Sequence, residues 1–253
     1  MTAAGVADGA PAGLSPERLL WAWEHGSRRH PVDRALLVLK AALPSSSDAA
    51  LAGIGIGQRD ALLLKVRAAT FGPMLDARAL CPACGETVSF TANAHRMLAA
   101  TETEGEHNDT FAIDGFRLRL RVPDSRDLAA AAATGDAQAA RELLLDRCVV
   151  GAWRGDAAVA ARDLPDSVVE RAVHHLADRE AAADVTFALA CPACGHQWSA
   201  PLDAESFLWA EIAAEAERVA RAVDTLARTY GWSEAEILGL SPARRQLYLQ
   251  LAG

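Results

Sequence analysis

Hydrophobic positions recur at helical spacing through the first third of the chain. Ser15-Pro16-Glu17 reads as an N-cap, a first-turn proline and a first-turn acid, opening a helix through Leu19, Leu20 and Trp23 that Gly26 ends. A second helix is predicted over about Pro31–Leu43, carrying Leu36, Leu37 and Leu39 and stopped by Pro44 and the Ser45-Ser46-Ser47 loop. A third runs from Gly57 to Thr70 with Leu62, Leu63, Val66 and Ala69 on its stripe. From Met74 the period shortens. Leu75–Leu80 and Thr87–Phe90 read as strands either side of a Cys-x-x-Cys turn, a hairpin with a metal-binding tip.

Glu102–Asp109 is polar and acidic and reads as a loop. Asp114-Gly115 then sits between alternating apolar residues (Phe111, Ile113; Phe116, Leu118, Leu120), a strong hairpin signal. Pro123-Asp124-Ser125 caps a helix starting near Arg126, Gly135 interrupts it before a helix over Ala139–Val150, and Leu164-Pro165-Asp166 starts another reaching about Ala182. The middle therefore reads as a helical insert. Val185–Ala190 and Gln197–Ala200 flank a second Cys-x-x-Cys as the first pair of strands flanks the first. Asp203 caps a long helix with Leu208, Ile212, Val219, Val223, Leu226 and Tyr230 on one stripe, ended by Gly231. Ser233 with Glu236 forms a capping box for a short helix, and Ser241-Pro242 opens the last one.

The expected organisation is a disordered N-terminus over 1–13, a helical region over 14–72, a split zinc ribbon with a β-hairpin and helical insert over 73–202, and a long helix plus a short helical pair over 203–253. The fold class is α+β and mainly helical. Composition agrees: hydrophobic residues make up 51% of the chain but aromatics only 6%, because alanine supplies much of the apolar count. A net charge of -8 argues against broad binding to a phosphate backbone, which needs clustered Lys and Arg. The first residues lack the basic start and apolar stretch of a signal peptide, and no run approaches the ~20 apolar residues of a membrane span, so a cytoplasmic location and no membrane partner are expected.

Four of the five cysteines sit in two identical Cys-Pro-Ala-Cys-Gly runs, which suits a metal better than disulfides. Two Cys-x-x-Cys turns place four thiolates for a tetrahedral ion, so Cys81, Cys84, Cys191 and Cys194 are the candidate ligands of one structural zinc. The spacing is unusual: 106 residues separate Cys84 from Cys191. Loop closure costs only logarithmically more with length, so a folded insert is permissible and the ion would act as a long-range staple. Two half-sites, or redox motifs, are the competing readings. Four cysteines fill the shell, leaving no open position for catalysis. Cys148, at helical spacing with Leu144, reads as a buried thiol, and His196 and His174-His175 as solvated residues. No nucleophile motif, P-loop or dinucleotide fingerprint occurs, so neither an enzymatic activity nor a small-molecule substrate is expected.

Basic residues form small groups: Arg28-Arg29-His30, Arg244-Arg245, and Arg117, Arg119 and Arg121 on alternate positions of one strand. That strand face suits an acidic partner, or is the solvated side of a half-buried sheet.

Several runs resemble a known family. Gly57-Gln58-Arg59-Asp60 with Leu62-Leu63-Leu64, the two knuckles, Leu120–Leu128 (LRVPDSRDL), Tyr230–Leu238 (YGWSEAEIL) and Arg244-Arg245-Gln246-Leu247-Tyr248 are similar to the baseplate assembly proteins of T4-like contractile tails, found with phages and extracellular contractile injection systems. The likeness spans most of the chain after about residue 14. It implies a non-enzymatic protein that assists assembly of the baseplate hub, as a chaperone or minor component, with hub proteins as partners and incorporation into a tail-like particle. On that reading Trp232, Ile237, Leu240, Tyr248, Arg244 and Arg245 are candidate partner-binding residues; for Trp232, Ile237, Leu240 and Tyr248 the competing reading is that they pack the C-terminal helices on one another. The alternative is a zinc-ribbon protein that binds nucleic acid or regulates.

Overall fold

A computed structural model of the chain describes residues 11–101, 110–180 and 185–253. The expected loop at Glu102–Asp109 and most of the expected N-terminal disorder lie outside the described residues. Pro11–Gly13, also expected to be disordered, packs: Pro11 is buried, and Gly13 lies so close to Ala69 that a Cβ would come within 2.4 Å of the Ala69 carbonyl oxygen.

The N-terminal unit comprises α1 (Pro16–Gly26), α2 (Pro31–Ala42), α3 (Asp48–Ala52) and α4 (Ile56–Phe71). Each helix except α4 starts on a side-chain cap: Ser15 accepts from the Arg18 amide, His30 Nδ1 from Val32, and Ser47 from Ala50. The short α3 falls where the sequence pattern gave only the end of a loop. The core of this unit joins Leu19, Leu39, Leu51, Ile54, Leu63 and Val66 to Leu208, Ile212 and Ala216 from the long helix α9 (Ala204–Tyr230). At 27 residues, α9 spans about 40 Å and exceeds what one unit can bury.

Two hairpins follow from and lead into these helices. Helix α4 enters β1 (Met74–Leu80), which pairs with β2 (Thr87–Asn93), and α5 (Ala94–Thr101) follows; β7 (Thr186–Ala190) pairs with β8 (Gln197–Pro201), which enters α9. Their bases are fixed where α4 meets α9. Arg67 is buried and donates twice to Glu211 (Nε–Oε2 2.9 Å, Nη2–Oε1 2.6 Å) and once to the Gly72 carbonyl (2.6 Å). Arg34 of α2 pairs with the buried Glu205 at 2.9 Å and lies over Trp209. Leu64, Leu98 and Ala204 close the space between α4, α5 and α9.

Between the hairpins, the insert is mixed rather than helical. It contains β3 (Thr110–Ile113), β4 (Phe116–Leu120), α6 (Ser125–Ala132), α7 (Ala137–Cys148), β5 (Val149–Arg154), β6 (Ala157–Ala158) and α8 (Asp166–Arg179). The four strands form one antiparallel sheet in the order β3-β4-β5-β6. The Asp114-Gly115 turn is as the sequence predicts: both residues have positive φ (46° and 79°), the pattern of a type I′ hairpin turn. The helix predicted over Ala139–Val150 ends two residues early. Val149 instead pairs with Leu120 across the free edge of β4, where a β-branched residue suits the pleat. Helix α8 packs Val168, Val169 and Ala172 against Leu118, Leu120 and Ala152.

The insert is bonded to the N-terminal unit at the start of α4. The Ile56 amide donates to the Pro123 carbonyl at 3.1 Å, Gly55 bridges Asp124, and the Gly57 amide donates to the Glu180 carboxylate. That carboxylate faces the N-terminal end of α4, where free amides favour an anion. Burial raises the carboxyl of Glu180 above its ordinary range, with the Gly57 amide opposing. A Cβ on Gly55 would come within 2.6 Å of Glu180 Oε1 and 2.9 Å of Val122, so the glycines here permit close approach of the insert.

Past the N-terminal unit, α9 carries α10 (Glu234–Leu238) and α11 (Pro242–Ala252). Gly231 ends α9 in the left-handed conformation, and the Ser233–Glu236 capping box forms as expected.

Candidate metal centre

Each hairpin ends in a six-residue knuckle, and the two knuckles repeat each other bond for bond. The Cys81 amide donates to the Glu86 carbonyl at 2.8 Å and Cys191 to His196 at 2.8 Å; Gly85 donates to the Cys81 carbonyl at 2.9 Å and Gly195 to Cys191 at 2.9 Å. Gly85 and Gly195 hold φ of 76° and 72°, a conformation that other residues adopt only with strain. These turns expose the second cysteine and bury the first in each pair, where Val88 and Trp198 pack around Cys81 and Cys191. Phe90 and Phe187, 4.9 Å apart between ring centroids, join the hairpins further from the tip.

The four sulfurs converge. Cys81 Sγ lies 3.7 Å from Cys194 Sγ, Cys84 Sγ lies 3.6 Å from Cys191 Sγ, and all four fall within 4.8 Å of one another. Four sulfurs at about 2.3 Å from a tetrahedral ion would be about 3.8 Å apart, so the set matches tetrathiolate coordination closely. It is far from one disulfide pair, whose sulfurs would sit about 2 Å apart.

Backbone amides are aimed at the sulfurs, an arrangement that favours thiolates. Burial works against ionisation of Cys81, but the amides of Ala83 and Cys84, with the thiols beside it, prevail and bring it down to about 7. At Cys84 the Glu86 amide favours the thiolate, yet Cys194, burial and the other two thiols outweigh it and push the group up to about 12. Cys194, despite the His196 amide, is raised as well. Cys81, Cys84 and Cys194 thus compete to ionise, and one divalent cation among the four sulfurs would remove the conflict. The four cysteines can therefore hold a metal ion.

The remaining candidates occupy ordinary positions. His196 is exposed, stacks near Trp198 and is not among the clustered ligand atoms. His175 stacks on Phe111 at 4.5 Å, and His174 is exposed. Cys148 is buried at the end of α7, and burial pushes its thiol up to about 11. Trp232 and Tyr248 are half-buried; Trp232 stacks on Tyr230 at 4.7 Å, and Tyr248 meets Trp232 edge-on at 4.9 Å and Tyr230 at 5.7 Å. Leu240 is half-buried and Arg244 exposed. Ile237 is fully buried and Arg245 buried, so these two pack the helical pair onto α9 instead of facing outward. The sequence marks Leu247 and Leu251, four residues apart on α11, as apolar residues to be buried, and in the structure they are 53% and 68% exposed. Among the described residues no helix is long and apolar enough to cross a membrane.

The chain is mainly helical with small sheets, and it brings two distant knuckles together in one four-cysteine cluster that can hold a metal ion. The T4 bacteriophage base plate protein family model matches residues 36–209, more than half of the chain, and the chain belongs to that family. All four clustered cysteines lie inside the matched region. Searches of curated proteins and of solved structures gave no match.

Proposed function

We propose that this chain is a non-enzymatic, zinc-stapled protein that assists assembly of the baseplate hub of a phage-like contractile tail or injection system, or forms a minor part of it. The observation that carries the reading is the family match over residues 36–209 with the four-thiol cluster inside it. Zinc is the metal of choice for four thiolates in a closed tetrahedral shell. In that role the ion fixes the two hairpins and so sets how α4, α9 and the insert are presented to neighbours. Hub proteins are the proposed partners. The C-terminal pair offers them a surface of Trp232, Tyr248, Leu240 and Arg244, extended by the exposed Leu247 and Leu251.

The test is to express the chain with its neighbouring tail proteins, sediment the assembled particles and probe the particle and soluble fractions. Stoichiometric presence in particles is expected of a structural subunit, and a soluble complex with a hub protein is expected of a chaperone. Absence from both would overturn the reading and favour the alternative of a nucleic-acid-binding zinc ribbon.

A further inference from the structure

The insert sheet buries one face and leaves the other open. Ile113, Phe116, Leu118, Leu120 and Ala152 enter the core beneath α8, and the opposite face carries Ala112, Arg117, Arg119 and Trp153. Register sets Arg117 opposite Trp153 and Arg119 opposite Gly151. A Cβ on Gly151 would come within 2.4 Å of the Trp153 ring, so the indole lies along β5 over the glycine backbone and does not stand away from the sheet. Both guanidiniums gather on it, with Arg117 Cζ 5.3 Å and Arg119 Cζ 6.0 Å from the ring centroid.

Both guanidiniums lie beside the indole, and neither has a carboxylate partner among the described residues. Arg121, next in the alternation, is taken by Asp127, whereas among the described residues Arg117 and Arg119 form no ion pair, in a chain with a net charge of -8. Stacking on the indole restrains each guanidinium while leaving its N–H edges open to carboxylate oxygens. Opposite them on the flanking strands stand Ala112 and Thr110 of β3 and Trp153 and Gly151 of β5, of which Ala112 and Gly151 are too small to keep a partner off.

We infer that this face docks a carboxylate-bearing segment of a partner protein, one acidic side chain on each guanidinium and its stem against Trp153. Arg117 and Arg119 are about 7 Å apart along the strand, the spacing of alternate residues in an extended segment. A nucleic acid fits less well. A continuing polyanion would meet Asp114 and Asp156, both exposed in the turns at the Arg117 end of the sheet. The docking surface rests on the baseplate reading only for the identity of the partner.

The test replaces Ala112 with a photo-crosslinking amino acid in cells co-expressing the tail proteins, and sequences the crosslinked peptide. A partner peptide carrying two or more closely spaced Asp or Glu residues is expected, with yield reduced at least tenfold by Arg117→Glu/Arg119→Glu and unchanged by Arg171→Glu on α8. If charge reversal lowers the melting temperature, Arg117→Gln/Arg119→Gln serves in its place. A crosslink to nucleic acid, to a segment without acids, or one that survives loss of both charges would overturn the inference, as would no crosslink. A crosslink to an acidic segment of a protein outside the tail would sink the baseplate assignment and leave this surface standing. Presence in particles without the Ala112 crosslink would do the reverse.

Discussion

Cys81→Ser is expected to strip the chain of its metal and lower its melting temperature by roughly 10–20 °C. Structural zinc contributes on the order of 10 kcal/mol of folding free energy in small sites. Here the helical core around Leu39 and the sheet–helix core around Leu118 contain none of the four clustered cysteines, so the expected loss is that of the cross-link itself. Cys84 and Cys191 are 107 positions apart, and closing a loop of that length by a cross-link stabilises by about 5 kcal/mol in the chain-entropy model. For a chain of this size each 1 kcal/mol moves the melting temperature by about 2–4 °C. Chelation of the wild-type protein is expected to reproduce the variant, and Cys148→Ser, outside the cluster, to retain the metal. Differential scanning calorimetry with and without chelator reads all three. An unchanged melting temperature in Cys81→Ser would show that the knuckles are not a staple.

Asp127→Ala is expected to cost about 2–4 kcal/mol, a fall of roughly 5–15 °C. The Asp127 carboxylate is 2% exposed and accepts from Arg121 (2.6 and 2.9 Å), from Arg147 (3.2 Å) and from the Asp124 amide (2.9 Å). It therefore closes the capping box of α6 while tying α6 to the end of β4 and to α7. Its removal leaves two guanidiniums without their partner, and both are exposed enough to recover water, which keeps the figure below that for a fully buried pair.

The same residue gives a pH dependence. Burial raises its carboxyl, but Arg121, the Asp124 amide and Arg147 outweigh burial and hold it at about 2, below the ordinary 3.8. A depressed carboxyl stabilises the fold above its unfolded value. That contribution, about 1 kcal/mol after allowance for solvent around the arginines, is lost as pH falls from about 4 through about 2. Denaturant melts across that interval are expected to show a loss that Asp127→Asn lacks. Equal acid sensitivity in the two proteins would contradict the assignment.

What could be read from the sequence was what local chemistry decides. Ser15-Pro16, Ser233 with Glu236, and Gly231 mark helix ends because a cap or a left-handed turn needs only neighbours in the chain. Asp114-Gly115 marks its hairpin for the same reason. The knuckles were legible one by one, and their joining followed from the valence of the proposed ion. Strand β5 was hidden because Val149 follows Cys148 with no breaker and continues an apolar helical stripe; pairing with β4, thirty residues earlier, decides it. The same non-local register conceals Trp153, so the sequence left the alternating arginines open between an acidic-partner face and a solvated one, and the ring beside them comes from the neighbouring strand. For Ile237 the sequence left partner binding and packing of the C-terminal helices both open, because a short helix does not reveal in its own sequence which side meets α9; in the structure Ile237, like Arg245 of α11, is buried.

Several of the runs that carry the family resemblance do structural work. Gly57 receives Glu180, Asp124 and Asp127 build the α6 cap, and Ser233 and Glu236 build the α10 cap. Only the cysteines among them form a cluster of metal-ligand type.

The account turns on one metal ion held by four thiolates between the two halves of the chain. Its most direct test is elemental analysis of the purified protein, dialysed against metal-free buffer without chelator, alongside Cys81→Ser and Cys191→Ser. One zinc per wild-type chain and none in either variant is the predicted result. A folded wild-type chain that carries no zinc and presents all four thiols to a thiol reagent would contradict it.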